Sequence, residues 1–316
     1  MSRYRDALLF CALAVAWGSA FVAIKAGLEH VAPVFFAALR YDLAAVLMFG
    51  YVAARADRWR PRTRREWLTV AVGAALLIAA YHAFLFVGEA RPGVTAAAAA
   101  VVVSLSPVLT TAFGRVVLPD DRLSALGALG LCCGFVGVTI IVVPPTVVTA
   151  GDLSAILDSN AVGTLLVLCA TAAFALGSVL TERLDTGLPP ATMEAWSMLL
   201  GALSLNAASL ALGEPQTIPL TVDALGALAY LSVVASAFGF LLYFDLHERL
   251  GSVEVNLVSY AAPIVAALVG WWLLGESLDL TTALGFLIVF AGFCLLKRRA
   301  LYAEVTRLDG RGRRAD

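Results

Sequence analysis

The side chains in this sequence that can do chemistry are few, and most are charges set in apolar surroundings. Lys25, Arg40, Asp42, His82, Glu89, Glu194 and Glu254 lie within or beside stretches built from Ala, Val, Leu, Ile and Phe. A charge in hydrocarbon is costly, so it pairs, reaches for an interface, or serves a substrate or ion. Lys25 stands about 27 Å along the first apolar stretch if that stretch is helical. It either snorkels to the outer surface or meets a substrate carboxylate or phosphate at the rim of a cavity. Arg40 stands roughly 10 Å inside the second stretch, which is far for a full snorkel. It is either half of a structural ion pair or a substrate anchor. Asp42 is two positions on, about 200° around a helix, so Glu89 is the better candidate partner.

His82 is read as a packed, hydrogen-bonded residue, with a proton carrier as the alternative, and Tyr81 beside it as a cavity residue. Ser104 precedes Pro107, which leaves the Val103 carbonyl without its helical donor. Such a carbonyl is met by a neighbouring helix or by a ligand. Later in the chain, Glu254, Asn256, Tyr260 and Pro263 form a richer polar set. Trp17, Trp196 and Tyr243 complete the candidate binding residues. Asp42, Glu89 and Glu254 are the candidates for carrying a proton. No zinc spacing or disulfide framework is visible among Cys11, Cys132, Cys133, Cys169 and Cys294. No metal and no cofactor are expected.

The elements that must position these residues are membrane helices. Hydrophobic residues make up 61% of the chain and charged ones 14%, where a soluble domain has about 25% charged. A hydrocarbon core of about 30 Å takes about 20 helical residues to cross. Ten stretches suit: 7–27, 33–54, 67–88, 94–113, 124–143, 162–181, 191–212, 224–245, 252–274 and 282–296. Arg3 and Arg5 before the first give it the look of a signal peptide, but its apolar run is too long. With the amino terminus in the cytoplasm, 19 of the 22 Lys and Arg residues fall on the cytoplasmic side, including Arg55, Arg58, Arg60, Arg62, Arg64 and Arg65. That asymmetry places both termini in the cytoplasm.

The chain also repeats itself. Gly93, Pro107, an acidic turn at Asp121, then Gly130 and Gly137 are echoed by Gly251, Pro263, Glu276, Gly285 and Gly292. Five spans per copy turn the second copy upside down, an arrangement used by alternating-access transporters. Residues 1–145 form the first repeat, 146–160 an outer linker, 161–297 the second repeat, and 298–316 a basic cytoplasmic tail. The fold class expected is an all-α integral membrane protein, with ten transmembrane helices as two inverted five-helix repeats around a central cavity. The glycines of the fifth helix (127, 130, 134 and 137) share one face and predict a helix or subunit contact, with the tenth helix as partner.

Trp17-Gly18-Ser19 with Phe21 and Lys25, Arg40 after Pro33, Pro107, and Gly275-Glu276 followed by Gly285 and Gly292 resemble the EamA-type branch of the drug/metabolite transporter superfamily. The first copy departs from the pattern at Pro119-Asp120-Asp121, and Phe174 stands where a tryptophan is common. The resemblance implies a secondary transporter of small organic solutes, amino acids or related metabolites. A cationic outer set (Lys25, Arg40, Arg91) suits a zwitterionic or anionic solute. The absence of a phosphate-binding Gly-x-x-x-x-Gly-Lys-Ser/Thr sequence argues against ATP use. A sensor or structural membrane subunit is the alternative, and an intramembrane enzyme a further one. The lipid bilayer and a small metabolite are the expected partners, nucleic acid is not, and a homodimer is left open.

Overall fold

The computed structural model describes residues 2–117, 125–143, 159–250, 255–277 and 279–312. Asp120, Asp121, Glu254 and nearly all of the expected linker lie outside them. The described chain is helical, with no strand among the described residues. Its helices are α1 (Ser2–Leu28), α2 (Pro33–Arg55), α3 (Arg64–Glu89), α4 (Ala96–Val117) and α5 (Ala125–Val142), then α6 (Ser159–Leu184), α7 (Pro190–Ala211), α8 (Val222–Leu250), α9 (Val258–Leu274) and α10 (Leu280–Gly312).

Apolar segments have no water to satisfy their amides, so helix is what this composition dictates. Six helices, α1 to α4, α6 and α8, are long and apolar enough to cross a membrane. Shorter apolar helices run over Leu126–Ile141, Val258–Leu274 and Leu280–Leu296. α7 carries Glu194, Ser197, Ser204, Asn206 and Ser209 and falls outside both groups. α10 runs on to Gly312, so residues 298–312, expected as a separate tail, continue the helix. Large apolar side chains such as Val46, Trp271 and Trp272 are exposed on the bundle surface, a surface that suits lipid.

Helix pairing has a regular pattern. α5 packs on α10, and α2 on α7. α1 packs on α9 and α4 on α6; α2 on α8 and α7 on α3; α3 on α6 and α8 on α1. Replacing each helix by the one five places along turns every one of these pairings into another in the set. Helix starts follow the same shift: Ser2 and Ser159 are as far apart as Pro33 and Pro190.

Two irregularities obey it too. α3 is π-helical over Gly73–Ala80, and α8 over Tyr230–Phe238. These two segments begin at the same separation as the helix starts. π segments are rare and concentrate at functional sites. α4 is interrupted at Ser104 and Leu105, just before Pro107. There Leu105 N–H turns back to Val102 O at 3.1 Å.

Two long-range caps fix helix starts. Glu214, beyond α7, accepts from Val34 N at 3.1 Å and Phe35 N at 2.8 Å. Glu276, between α9 and α10, accepts from Ala96 N with both oxygens, at 3.2 and 3.0 Å. A carboxylate at a helix N-terminus answers both the unpaired amides and the positive end of the dipole. Gly275, with φ of 65°, makes the left-handed turn that ends α9 and delivers Glu276.

The α5–α10 contact brings backbone onto backbone. A Cβ on Gly130 would lie 2.6 Å from Gly292 O, and one on Gly137 2.7 Å from Gly285 O. Gly134 faces Leu105 and Val108 of α4 instead. The tenth helix is therefore the partner that the glycine stripe predicts. Gly137→Val should lower stability by about 1–3 kcal/mol through overpacking, read as a lower thermal midpoint in detergent. Gly114→Ala, where an added Cβ meets nothing within 4 Å, should leave the midpoint unchanged.

Candidate functional site

Arg40 is 6% exposed on α2, yet it makes no ion pair among the described residues. Its Nε donates to Ser236 Oγ at 2.9 Å, and its guanidinium carbon lies 5.2 Å from the Tyr41 ring centre. Ser236 belongs to the π segment of α8. The expected structural pair with Glu89 or Asp42 is not formed. Asp42 accepts instead from Asn206 Nδ2 of α7, at 3.2 and 3.0 Å.

His82 sits beside this centre and is buried. Its Nδ1 donates to Ile78 O at 2.9 Å, since a carbonyl can only accept. A neutral ring then accepts at Nε2 from the Tyr41 hydroxyl, 2.7 Å away. Tyr81 packs its ring on His82, centroids 4.5 Å apart, and on Phe174 of α6 at 5.3 Å. Arg40, Tyr41, His82 and Ser236 are all buried, so the polar centre is closed in this conformation. A shallow apolar groove of about 460 Å³ runs between α3 and α7, lined by residues such as Ala71, Ala74, Leu200 and Leu203; no candidate residue lines it.

A second cluster surrounds Trp17. Its indole stacks on Tyr243 with centroids 5.5 Å apart and meets Phe240 edge-on at 6.0 Å. Trp17 Nε1 donates to Ala235 O at 3.1 Å. The π turn explains this bond. Gly239 N–H reaches Val234 O and Ser236 O, so it leaves the Ala235 carbonyl to the indole. Gly239 must be glycine here, because a Cβ would lie 2.7 Å from Trp17 Nε1. Trp17 thus sits on the same π segment that supplies Ser236.

The remaining candidates lie elsewhere. Lys25 Nζ donates to Glu89 O at 3.3 Å and to Val94 O. Ser104 Oγ donates to Val101 O at 2.6 Å, serving its own broken helix. Tyr260 packs on Phe293 at 4.4 Å, its hydroxyl buried without a hydrogen-bond partner among the described residues. Asn256 is half-buried just before α9. Trp196 is placed in an aromatic cluster with Phe49, Trp59 and Trp67, and its Nε1 donates to Trp59 O at 2.9 Å. Phe49 is nine residues from Arg40, hence about 13 Å along α2, so Trp196 braces the α2–α3 loop.

The EamA-like transporter family matches residues 5–143 and again 161–298. The chain belongs to that family. An uncharacterised transporter of Archaeoglobus fulgidus is 26% identical over 288 residues, covering 91% of this chain and 96% of the relative. The uncharacterised inner membrane transporter YedA of Escherichia coli K12 is 30% identical over 283 residues, covering 89% and 87%. A probable amino-acid metabolite efflux pump of Salmonella typhimurium is 29% identical over 304 residues, covering 92% and 94%. A crystal structure of another protein shares the fold, with a TM-score of 0.64 at 21% identity over 94% of this chain and 98% of that one. This EamA-family protein is a multi-pass membrane protein, and its relatives' names mark transporters rather than enzymes.

The sequence reading did not single out Tyr41, Ser236 or Asn206. Tyr41 and Asn206 were visible as polar residues in apolar runs. Ser236 carries no local signal, because only the packing of α8 on α2 makes it a partner for Arg40. Tyr41→Phe strands the Nε2 of buried His82 and should cost about 1–3 kcal/mol, measured by denaturant unfolding. Tyr51→Phe, at an exposed position of the same helix, should cost nothing measurable.

Proposed function

We propose that this chain is a secondary transporter that moves small organic solutes, amino acids or related metabolites, across the cytoplasmic membrane by alternating access. In this reading all ten helices cross the bilayer, as two five-helix halves inverted relative to each other. The halves are residues 1–145 and 161–297. Separate family matches to 5–143 and 161–298 support them. So do the shift of five in helix pairing and the equivalent π segments of α3 and α8. An odd number of spans per half requires the inversion. The arginine-rich end, with Arg55 to Arg65 between α2 and α3, is the cytoplasmic one by the positive-inside rule, and both termini lie on that side.

The observation that carries the reading is the buried guanidinium of Arg40. It projects from the first half and touches Ser236 of the second. It lacks a carboxylate partner among the described residues, and a buried charge without a partner is costly to keep. A solute carboxylate supplies that partner during each transport cycle. Arginine suits the role, because its planar fork meets a carboxylate with two parallel hydrogen bonds. The relative named as an amino-acid metabolite efflux pump supports a cargo of that chemistry. Trp17, Tyr81, His82 and Tyr243 offer apolar and hydrogen-bonding surface for the rest of the solute.

The test is counterflow of a labelled amino-acid panel in proteoliposomes. Wild-type protein should exchange at least one solute that bears a carboxylate. Arg40→Ala should abolish the exchange. Arg40→Lys should retain the charge but lose the fork, lowering exchange on the order of tenfold or more, the size of a charge-assisted hydrogen bond. Full exchange by Arg40→Ala protein would remove the guanidinium from the site.

A further inference from the structure

Several carboxylates around this bundle are well supplied with donors. Asp42 has Asn206, Glu214 has two backbone amides and Ser209, and Glu276 has the Ala96 amide. Glu66 has Arg58 and the amides of Arg62 and Thr63. Glu89 is different. It is 1% exposed, and neither oxygen of its carboxyl group has a hydrogen-bond partner among the described residues. It also occupies the last turn of α3, at the negative end of the helix dipole. An ionised carboxylate there has no hydrogen-bond donor among the described residues, and its own helix end opposes it.

The groups around it are known from each side. Lys25 of α1, Arg40 of α2 and Glu276 of the α9–α10 turn are the charges that act on the carboxyl group. α6 meets the adjoining Gly88 through Gly163 and Val167. Lys25 bonds the same turn. Its ammonium donates to the main-chain oxygens of Glu89 and Val94 rather than to the Glu89 carboxylate. It thereby ties the α3–α4 turn, and with it the start of α4, to α1. Glu276 holds the same end of α4 through Ala96 N.

We propose that Glu89 is a proton-binding site, and that loss of its proton draws the Lys25 ammonium off the Val94 carbonyl and onto the Glu89 carboxylate, releasing residues 90–95 from α1. The exchange is balanced. The proton leaves to water at that end of the bundle, and the anion it leaves behind is met by a cation already in place. Lys25 needs only a swing of its flexible stem, since it already bonds the main chain of Glu89. The inference rests on the transporter reading for its purpose, which is to couple opening of this end to a proton. The latch itself is a property of the chain without solute.

The experiment is hydrogen–deuterium exchange of purified full-length protein across a pH series, corrected for intrinsic exchange, with infrared spectra of the same samples. In wild type, exchange over residues 90–95 should rise several-fold as pH increases. A carboxylic-acid carbonyl band should fade over the same interval. Glu89→Gln, which mimics the protonated group, should lack that band and keep 90–95 protected throughout. Lys25→Gln should exchange rapidly at every pH; if it does not fold, the comparison of wild type with Glu89→Gln decides alone. Wild type and Glu89→Gln sharing one pH response, or an unchanged band in the variant, overturns the proposal. Solute exchange with pH-independent protection would sink the latch and spare the transporter. A working latch in a protein that moves no solute would do the reverse.

Discussion

A guanidinium buried without a counter-ion among the described residues is the constraint on which the rest of this structure turns. Taking an ion out of water costs several kcal/mol even after the surroundings relax. Arg40 is held against that cost by its hydrogen bond to Ser236 and by the Tyr41 ring beside it. Tyr41 cannot move freely, because its hydroxyl is engaged by His82. His82 in turn is fixed by the Ile78 carbonyl one turn back. The environment of a single charge therefore links α2, α3 and α8, and it does so across the two stretches that the family matches separately.

The helix ends show the same electrostatic logic with the sign reversed. Glu214 and Glu276 are remote in sequence from the helices they cap, and each sits at an N-terminus, where amides and dipole favour an anion. Glu89 is the same kind of side chain at the opposite kind of helix end. Residue type does not separate these three glutamates; the direction of the nearby helix does. This is why a roster of acidic residues in apolar sequence says little about which of them caps a helix, and why helix polarity says a great deal.

Much of the architecture was legible in the sequence, for reasons that are local. Apolar runs of bilayer length become helices because nothing else satisfies their backbone. Gly130 and Gly137 announced a close contact, and Gly285 and Gly292 at matching spacing named its partner. Arg40, Tyr81 and His82 stood out as polar residues in apolar runs, and the structure brings them near one another. What was not legible depends on contacts between distant segments. Asp42 finds Asn206 across 164 positions, and Arg40 finds Ser236 across 196. Trp196 looked like a cavity aromatic from its type, yet the Trp59 carbonyl and three rings hold it to the α2–α3 loop. The π segments have no signature of composition: Gly73–Ala80 reads as ordinary apolar helix.

Those π segments connect the closed centre to the fold around it. A π turn places the hydrogen bond one residue further back, so it widens the helix and leaves carbonyls to be satisfied by other groups. In α8 the consequence is direct: Ala235 O takes the Trp17 indole, and Ser236 faces Arg40. In α3 the segment ends immediately before Tyr81 and His82. The α5–α10 pair is the opposite case. There glycine lies on backbone with no side chain between, which leaves no slack for sliding or rotation. Regular, tightly packed helix forms the frame, and the two irregular segments border the buried charge. A buried charge inside an apolar protein needs spare hydrogen-bonding groups, and the departures from α-helix are where this chain obtains them.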